Sequence, residues 1–304
     1  MKYKPYMHIQ RFGHREVQGI EHGTCFIFPK LDGTNASVWL DIDANGYDIV
    51  RAGSRTRQLS LESDNAGFYN WVCSQQVLYD YFKANPHHRL YGEWLVPHTL
   101  KTYRQDVWRR FWIFDVAVPM GDSEVLLSYN TYSLELEKFG LDYITPIMKA
   151  ENVTEEWLTG CLDRATFLVD DGKGHGEGVV IKNYDFHNQA GDQIWAKLVR
   201  QEFKEQNAKA FGIADVSLSD PIEMRIVEKF LTESMIEKVY AKIVVQHEGW
   251  SSKRIPQLLE TCYYDLVSEE IWSILKEFNI PTINFRSLKA YTIQKIKLVK
   301  KECF

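Results

Sequence analysis

Seven charged side chains interrupt or adjoin apolar, strand-like runs of this sequence: Lys30, Arg55, Glu93, Asp115, Glu177, Lys182 and Lys197. An unpaired charge inside an apolar strand is costly, so each of them must face solvent, a counter-ion or a site. A single charge per strand is explained by ion pairing. A series of both signs, drawn from separate strands, is better explained as a pocket for a triphosphate and its metal. In such a pocket lysines cradle phosphate oxygens and carboxylates hold a hard divalent cation. One lysine can then act as nucleophile when neighbouring positive charge depresses its pKa.

Lys30 is the candidate nucleophile. It closes the strand-forming run Cys25-Phe26-Ile27-Phe28, and the run Ala36-Ser37-Val38-Trp39-Leu40 opens after Asp32-Gly33-Thr34-Asn35. Asp-Gly between two such runs predicts a strand, a tight turn and a strand, with the lysine at the turn's mouth. A surface lysine beside an Asp-Gly hairpin is common, so the chemical reading of Lys30 rests on the stretches downstream. Asp43-Ala44-Asn45-Gly46 marks a second hairpin, whose returning strand leads into the basic loop 53–57. Arg51 and Arg55, on either side of that strand's end, are candidate phosphate contacts, since guanidinium groups hold phosphates bidentately. Residues 68–84 carry apolar positions at helical spacing, and 90–95 and 109–118 read as strands with Glu93 and Asp115 in their middles. The glycine-rich stretch 170–176 precedes the strand 177–182. There Glu177 and Lys182 are an odd number of residues apart and in a flat ladder face opposite sides, and a bulge or twist at Gly178 could bring both to one pocket. Asp192 to Val199 is expected to form the last strand.

Residues 204–219 are polar and rich in small residues, as in a linker. Asp220-Pro221-Ile222-Glu223 is expected to start a helix with Asp as N-cap and Glu completing a capping box. Helical patterns then run to the end of the sequence. The last of them carries Arg286, Lys289, Lys295, Lys297, Lys300 and Lys301, a solvated face or a nucleic-acid contact. The expected class is α+β, with a domain of antiparallel sheets and helices over 1–209 and a small all-α domain over 216–304. With 304 residues, 45% hydrophobic and 25% charged, a soluble two-domain protein is expected. A formal net charge of −5 provides no global attraction to nucleic acid, so a phosphate-binding surface must be local. Five scattered cysteines without a C-x-x-C pair argue against structural zinc and for a reducing, cytoplasmic setting. No apolar stretch reaches the length of a membrane span, and Met1-Lys2-Tyr3-Lys4-Pro5 does not read as a signal peptide.

Five of these stretches, taken in order, resemble the motifs of the covalent nucleotidyltransferase superfamily of polynucleotide ligases and capping enzymes. They are Lys30-Leu31-Asp32-Gly33, Tyr91-Gly92-Glu93-Trp94, Phe111-Trp112-Ile113-Phe114-Asp115, Glu177-Gly178-Val179-Val180-Ile181-Lys182 and Trp195-Ala196-Lys197. Asn35 in place of arginine, together with a helical tail in place of a β-barrel, is similar to the branch typified by T4 RNA ligase 2. The resemblance implies an ATP-grasp-like ligase fold and an ATP-dependent RNA ligase of the RNA-repair kind. Such an enzyme joins 5′-phosphate and 3′-hydroxyl ends of nicked or broken RNA through lysyl-AMP and RNA-adenylate, with Mg²⁺ or Mn²⁺. A DNA ligase or another polynucleotide nucleotidyltransferase is the alternative. Carried over by position, Lys30 is the adenylylated nucleophile, and Asn35, Arg55, Glu93, Phe114, Lys182 and Lys197 bind the nucleotide. Phe114 stacks on adenine, and Glu93 and Glu177 hold the metal. The branch's type member has a second lysine at the position of Val199, where Arg200 is a substitute candidate for phosphate.

Overall fold

The two strands flanking Asp32-Gly33 do not form a hairpin. β2 (Thr24–Lys30) and β3 (Thr34–Ile42) belong to different sheets of the computed structural model, and the chain crosses between the sheets at 31–33. Long-range contacts occupy the groups a hairpin would have used. The Asp32 amide donates to the Tyr103 hydroxyl at 2.9 Å, and the Gly33 amide donates to Glu93 Oε1 at 2.9 Å. A Cβ on Gly33 would meet the Trp94 carbonyl oxygen at 2.6 Å, so this close approach, not turn geometry, demands glycine. The consequence for function is large, because Lys30 ends one sheet and Asn35 lies near the start of the other.

The structure describes residues 1–97, 102–121, 123–200 and 220–304; Asp122, the expected linker 204–219 and the expected domain limits at 209 and 216 lie outside them. The chain divides into two compact units, Met1–Phe203 and Lys204–Phe304. In the first, sheet 1 is ordered β1-β10-β9-β2-β8, where β1 is Gln10–Arg11, β8 Met148–Glu151, β9 Gly178–Lys182 and β10 Ala196–Val199. Its strands are antiparallel except for β1 against β10. Sheet 2 is antiparallel and ordered β4-β3-β5-β6-β7, where β4 is Asp48–Ser54, β5 Arg89–Trp94, β6 Phe111–Met120 and β7 Ser123–Leu126. The second expected hairpin does form between β3 and β4. Asp43 there accepts from the amides of Asn45 and Tyr47, and Gly46 takes φ 85°.

One core joins the sheets, with Phe26, Phe28, Val180 and Trp195 from sheet 1 and its margin meeting Trp112 of sheet 2. A second lies behind sheet 1, where Cys25, Ile27, Val179 and Ile181 pack on Leu158 and Cys161 of the helix Glu155–Cys161. This alternation of faces along β2 and β9 is the two-residue period of a strand buried on both sides. The helical pattern over 68–84 is divided into α1 (Phe68–Ser74) and α2 (Gln76–Ala84), because Gln75 takes an extended conformation at φ −97°, ψ 94°.

The second unit is all-helical over its described residues, with α5 (Ile222–Phe230), α6 (Glu233–Gln246), α7 (Ile255–Glu277) and α8 (Phe285–Val299), following α3 (Tyr129–Lys138) and α4 (Glu155–Cys161) of the first. Asp220 is not the N-cap; Pro221 holds that position, and no side chain caps the helix. Glu223 instead accepts from the Asn284 amide at 2.7 Å, joining the start of α5 to that of α8. The basic face of α8 is largely engaged within the unit. Lys289 pairs with Glu260, Lys295 with Glu228, and Lys300 with Glu237 and Glu302, which leaves less positive surface than the sequence suggested.

Candidate active site

Pairing registers place the lysines before any side-chain contact is considered. Across sheet 1, Phe26 faces Lys182, Phe28 faces Val180 and Lys30 faces Gly178, while Val180 faces Lys197. Alternate residues share a face, so Lys30, Lys182 and Lys197 all stand on the side that carries Phe26 and Phe28, the side turned to sheet 2. On sheet 2, Asn35 faces Glu93 and Glu93 faces Trp112, whose ring belongs to the core between the sheets. Asn35 and Glu93 therefore look back toward the lysines.

Lys30 Nζ lies 2.6 Å from Glu177 Oε2 at the edge of this cleft, with both side chains mostly covered. No bulge at Gly178 is needed for this. Pairing of β9 with β2 and β10 runs on without a shift, and β9 begins at Gly178, so Glu177 sits just outside the strand and escapes its alternation. Its carbonyl accepts from the Arg200 amide at 2.9 Å, which fixes the backbone of the residue that holds Lys30.

The register shift lies instead in sheet 2, between Tyr91 and Gly92, where Tyr91 faces Asp115 and Gly92 faces Ile113. Phe114 is the extra residue. A bulge re-aims the side chains beside it, and here the Phe114 ring lies in the core between the sheets, 4.9 Å from the Tyr6 ring. Its carbonyl accepts from Tyr132 Oη at 3.0 Å and from Lys182 Nζ at 2.5 Å. Lys182 is almost fully buried, 2.8 Å from Asp115 Oδ1 and 4.6 Å from the Phe28 ring centroid. Burial pulls its pKa below the usual lysine value, against the opposing charge of Asp115. The ammonium is thus held beneath the aromatic wall by Asp115 and the Phe114 carbonyl.

Of the other expected residues, Arg55 directly follows β4, whose last residue, Ser54, faces Ala36; Arg55 is therefore at the Asn35 end of sheet 2. Arg51 is not brought to the cleft. It faces Trp39, four residues or about 13 Å along β3, with its Nε 3.6 Å from Asp41. The Arg200 guanidinium is held by Asp163 at 2.7 Å. Tyr103 was not foreseen, since it stands outside any patterned run. Burial raises its phenol pKa well above the usual value, and the charges of Glu177, Asp32 and Glu93 raise it further. The same phenol feels Glu177 from sheet 1 and Glu93 from sheet 2, which places the two carboxylates in one neighbourhood.

Fold and cleft together define an α+β protein whose two antiparallel-rich sheets face each other across a lysine–carboxylate pair. The chain belongs to the RNA ligase family, whose model matches residues 23–199. No curated protein matches the sequence. Among solved structures it is similar to Naegleria gruberi RNA ligase. For a glutamate-to-alanine mutant of that protein with AMP and Mn the identity is 14% and the TM-score 0.50, over 67% of this chain and 58% of that one. For a lysine-to-alanine mutant with ATP and Mn the values are 17%, 0.49, 66% and 57%, and for the form with PPi 16%, 0.48, 68% and 58%. The match thus spans less than two thirds of the length of those ligases, and at this identity the likeness is one of fold.

Proposed function

We propose that this protein is an ATP-dependent RNA ligase of the T4 RNA ligase 2-like kind, working through a covalent adenylate on Lys30. The observation that carries the proposal is the Lys30 ammonium 2.6 Å from Glu177 at the edge of a cleft lined by Lys197 on one sheet and by Asn35 and Glu93 on the other. The nucleotide chemistry is assigned to the first domain, 1–209. Glu177 is placed to take the proton that Lys30 must lose before it attacks. The amine then forms a bond to the α-phosphorus of ATP, and pyrophosphate leaves. The 5′-phosphate of an RNA end displaces the lysine to give RNA-adenylate. Finally a 3′-hydroxyl attacks the 5′-phosphorus, AMP leaves, and the strand is sealed. Lys197 and Arg55 are assigned to phosphate oxygens, and Phe114 to the adenine face.

A divalent cation fits the donor set. Among the described residues there is no cluster of three or more His, Cys, Asp or Glu that would bind a metal by protein ligands alone. Glu93 and Glu177 are hard oxygen donors, and two carboxylates completed by phosphate oxygens and water suit Mg²⁺ or Mn²⁺. Bound there, the cation would neutralise charge on the phosphate oxygens.

Incubation with ATP and Mg²⁺ followed by intact-mass measurement tests the proposal. One AMP should add to the wild type and none to Lys30→Ala; loading of that variant at the wild-type rate excludes Lys30. Efficient labelling by GTP would point to a capping-type enzyme. Equal sealing of nicked DNA and of a nick with a ribose at its 3′-hydroxyl would point to a DNA ligase, because only the ribose offers a 2′-hydroxyl to read.

A further inference from the structure

The first eleven residues lie outside the span matched by the family model and have no place in the chemistry above, yet they reach both sheets. On sheet 2, the Trp39 indole donates to the Met1 carbonyl at 3.0 Å and the Arg89 guanidinium to that of Lys2 at 2.6 Å. The Tyr91 hydroxyl donates to the Lys4 carbonyl at 3.3 Å. Met7 and Ile9 pack on the core between the sheets. On sheet 1, the Gln10 amide donates to the Trp195 carbonyl at 3.1 Å and the Phe12 amide to that of Lys197 at 2.9 Å. The segment is a strap from one sheet to the other, attached at its far end beside Lys197.

Two side chains of the strap meet residues assigned to the nucleotide. Tyr6 Oη donates to Asp115 Oδ2 at 2.5 Å, while the other oxygen of that carboxylate holds Lys182. Burial, reinforced by the Asp115 charge, raises the Tyr6 pKa well above the usual phenol value, so Tyr6 remains a donor. Its ring stands 4.9 Å from Phe114 and 5.0 Å from Tyr91. Phe114 is the bulge residue, so its orientation depends on Tyr6, Lys182 and Tyr132 in place of regular strand pairing. Two residues further on, His8 Nδ1 lies 2.9 Å from the Arg55 guanidinium. A guanidinium has no acceptor, so it must be the donor and His8 Nδ1 the acceptor.

We propose that residues 1–11 form a clamp on the nucleotide site, in which Tyr6 positions Phe114 for the base and His8 positions Arg55 for the phosphates. This rests on the function proposed above. Tyr6 acts through Asp115 and Lys182 and does not itself touch the reacting atoms. Removing its hydroxyl takes one donor from a buried carboxylate and loosens the ion pair that fixes the Phe114 carbonyl. Losing a hydrogen bond to a charged group of this kind should raise the half-saturating ATP concentration for Lys30 loading on the order of tenfold.

The test uses the full chain, single-turnover loading over a range of ATP concentrations, and inorganic tripolyphosphate as a competitor that has no base. Tyr6→Phe keeps the ring. It should raise the half-saturating ATP concentration while leaving the rate at saturation, and inhibition by tripolyphosphate, near wild type. His8→Ala should weaken tripolyphosphate inhibition. Tyr6→Ala should shift ATP dependence further than Tyr6→Phe; if it fails to fold, the phenylalanine variant alone decides. Wild-type ATP dependence in Tyr6→Phe, whatever its melting temperature, overturns the clamp. Equal weakening of ATP and tripolyphosphate by Tyr6→Phe overturns it too, because a general loosening of the site would then suffice. A wild-type chain that forms no adduct overturns the proposed function and the clamp with it, whereas a wild type that loads beside an unaffected Tyr6→Phe overturns the clamp alone.

Discussion

Replacing Gly178 by alanine should disable the site without touching a reactive group. A Cβ at Gly178 would lie 2.8 Å from Val199 Cα and 3.1 Å from the Leu198 carbonyl carbon, and closer still to the Leu198 carbonyl oxygen. All three are backbone atoms of β10, so no side-chain rotation relieves the overlap. Ordinary contact begins at 3.4 Å, which means moving Val199 Cα by at least 0.6 Å and the Leu198 carbonyl further. Ladder hydrogen bonds tolerate only a few tenths of an ångström, so β9 and β10 must splay at this point. The adjoining bond from the Arg200 amide to the Glu177 carbonyl, 2.9 Å long, is then lost or stretched. Overpacking together with one lost bond costs about 2–4 kcal/mol, or on the order of 10 °C in melting temperature for a unit of this size. Glu177 lies next to the distortion, so the carboxylate that holds Lys30 moves with it. A misplacement approaching 1 Å can cost about 100-fold in rate. Thermal melting and the rate of AMP-adduct formation by intact mass are the assays. A Gly178→Ala protein that melts within about 1 °C of wild type and loads within about twofold of it would refute the reasoning.

The remaining expectations concern stability. Tyr6, Tyr103, Tyr132 and Tyr184 all have phenol pKa values raised chiefly by burial. Above about pH 10 the unfolded chain loses protons that the folded chain keeps, so stability should fall by roughly 1.4 kcal/mol per pH unit for each tyrosine, or about 5.6 kcal/mol per pH unit for the four. Lys182, lowered in the fold, acts with the opposite sign, but below about pH 10.4, where the unfolded lysine still holds its proton, so its contribution is complete before most of the drop. Melting curves between pH 8 and 11 should therefore show no loss until the ordinary tyrosine range and then drop steeply; stability undiminished at pH 11 would contradict this. In the helical unit, Lys300 has an 8% exposed side chain that bonds Glu237 and Glu302 and lies 3.9 Å from the Tyr240 ring centroid. Lys300→Ala should cost about 1–3 kcal/mol by calorimetry, whereas Lys297→Ala, over the Phe304 ring, should cost about 0.5 kcal/mol or less.

Family and fold class were legible because both rest on local patterns: five charged-in-apolar stretches in a fixed order, then a change to helical periodicity. Contacts made at long range were not legible. Asp220-Pro221-Ile222-Glu223 has every mark of a helix cap, yet Asn284, 61 residues away from Glu223, claims the glutamate. Residues 68–84 have continuous helical spacing, and the break at Gln75 leaves no mark in that spacing. The polar start of the chain has no strand-like pattern because the strap is held mainly through its backbone carbonyls, which are the same in any sequence.

The Asp-Gly turn shows most clearly what pattern reading leaves undecided. Strand, Asp-Gly and strand is the signature of a hairpin, and equally that of a chain leaving one sheet for another; the first four residues after Phe28 read the same in both. Their hydrogen-bond partners make the difference. In a hairpin, amides near the turn would be satisfied by the facing strand, and Lys30 would stand at the rim of a single sheet. Here Tyr103 and Glu93, 71 and 60 residues away, take the amides of Asp32 and Gly33. The two strands separate, and Lys30 comes to face a second sheet that brings Asn35 and Glu93 toward it. Glu93 therefore does two things with one side chain: it fixes the crossover that opens the cleft, and it presents a carboxylate beside it. Replacing it with alanine would remove a candidate metal ligand and the Gly33 anchor together, and Glu93→Gln, which keeps an acceptor for the Gly33 amide while losing the charge, separates the two.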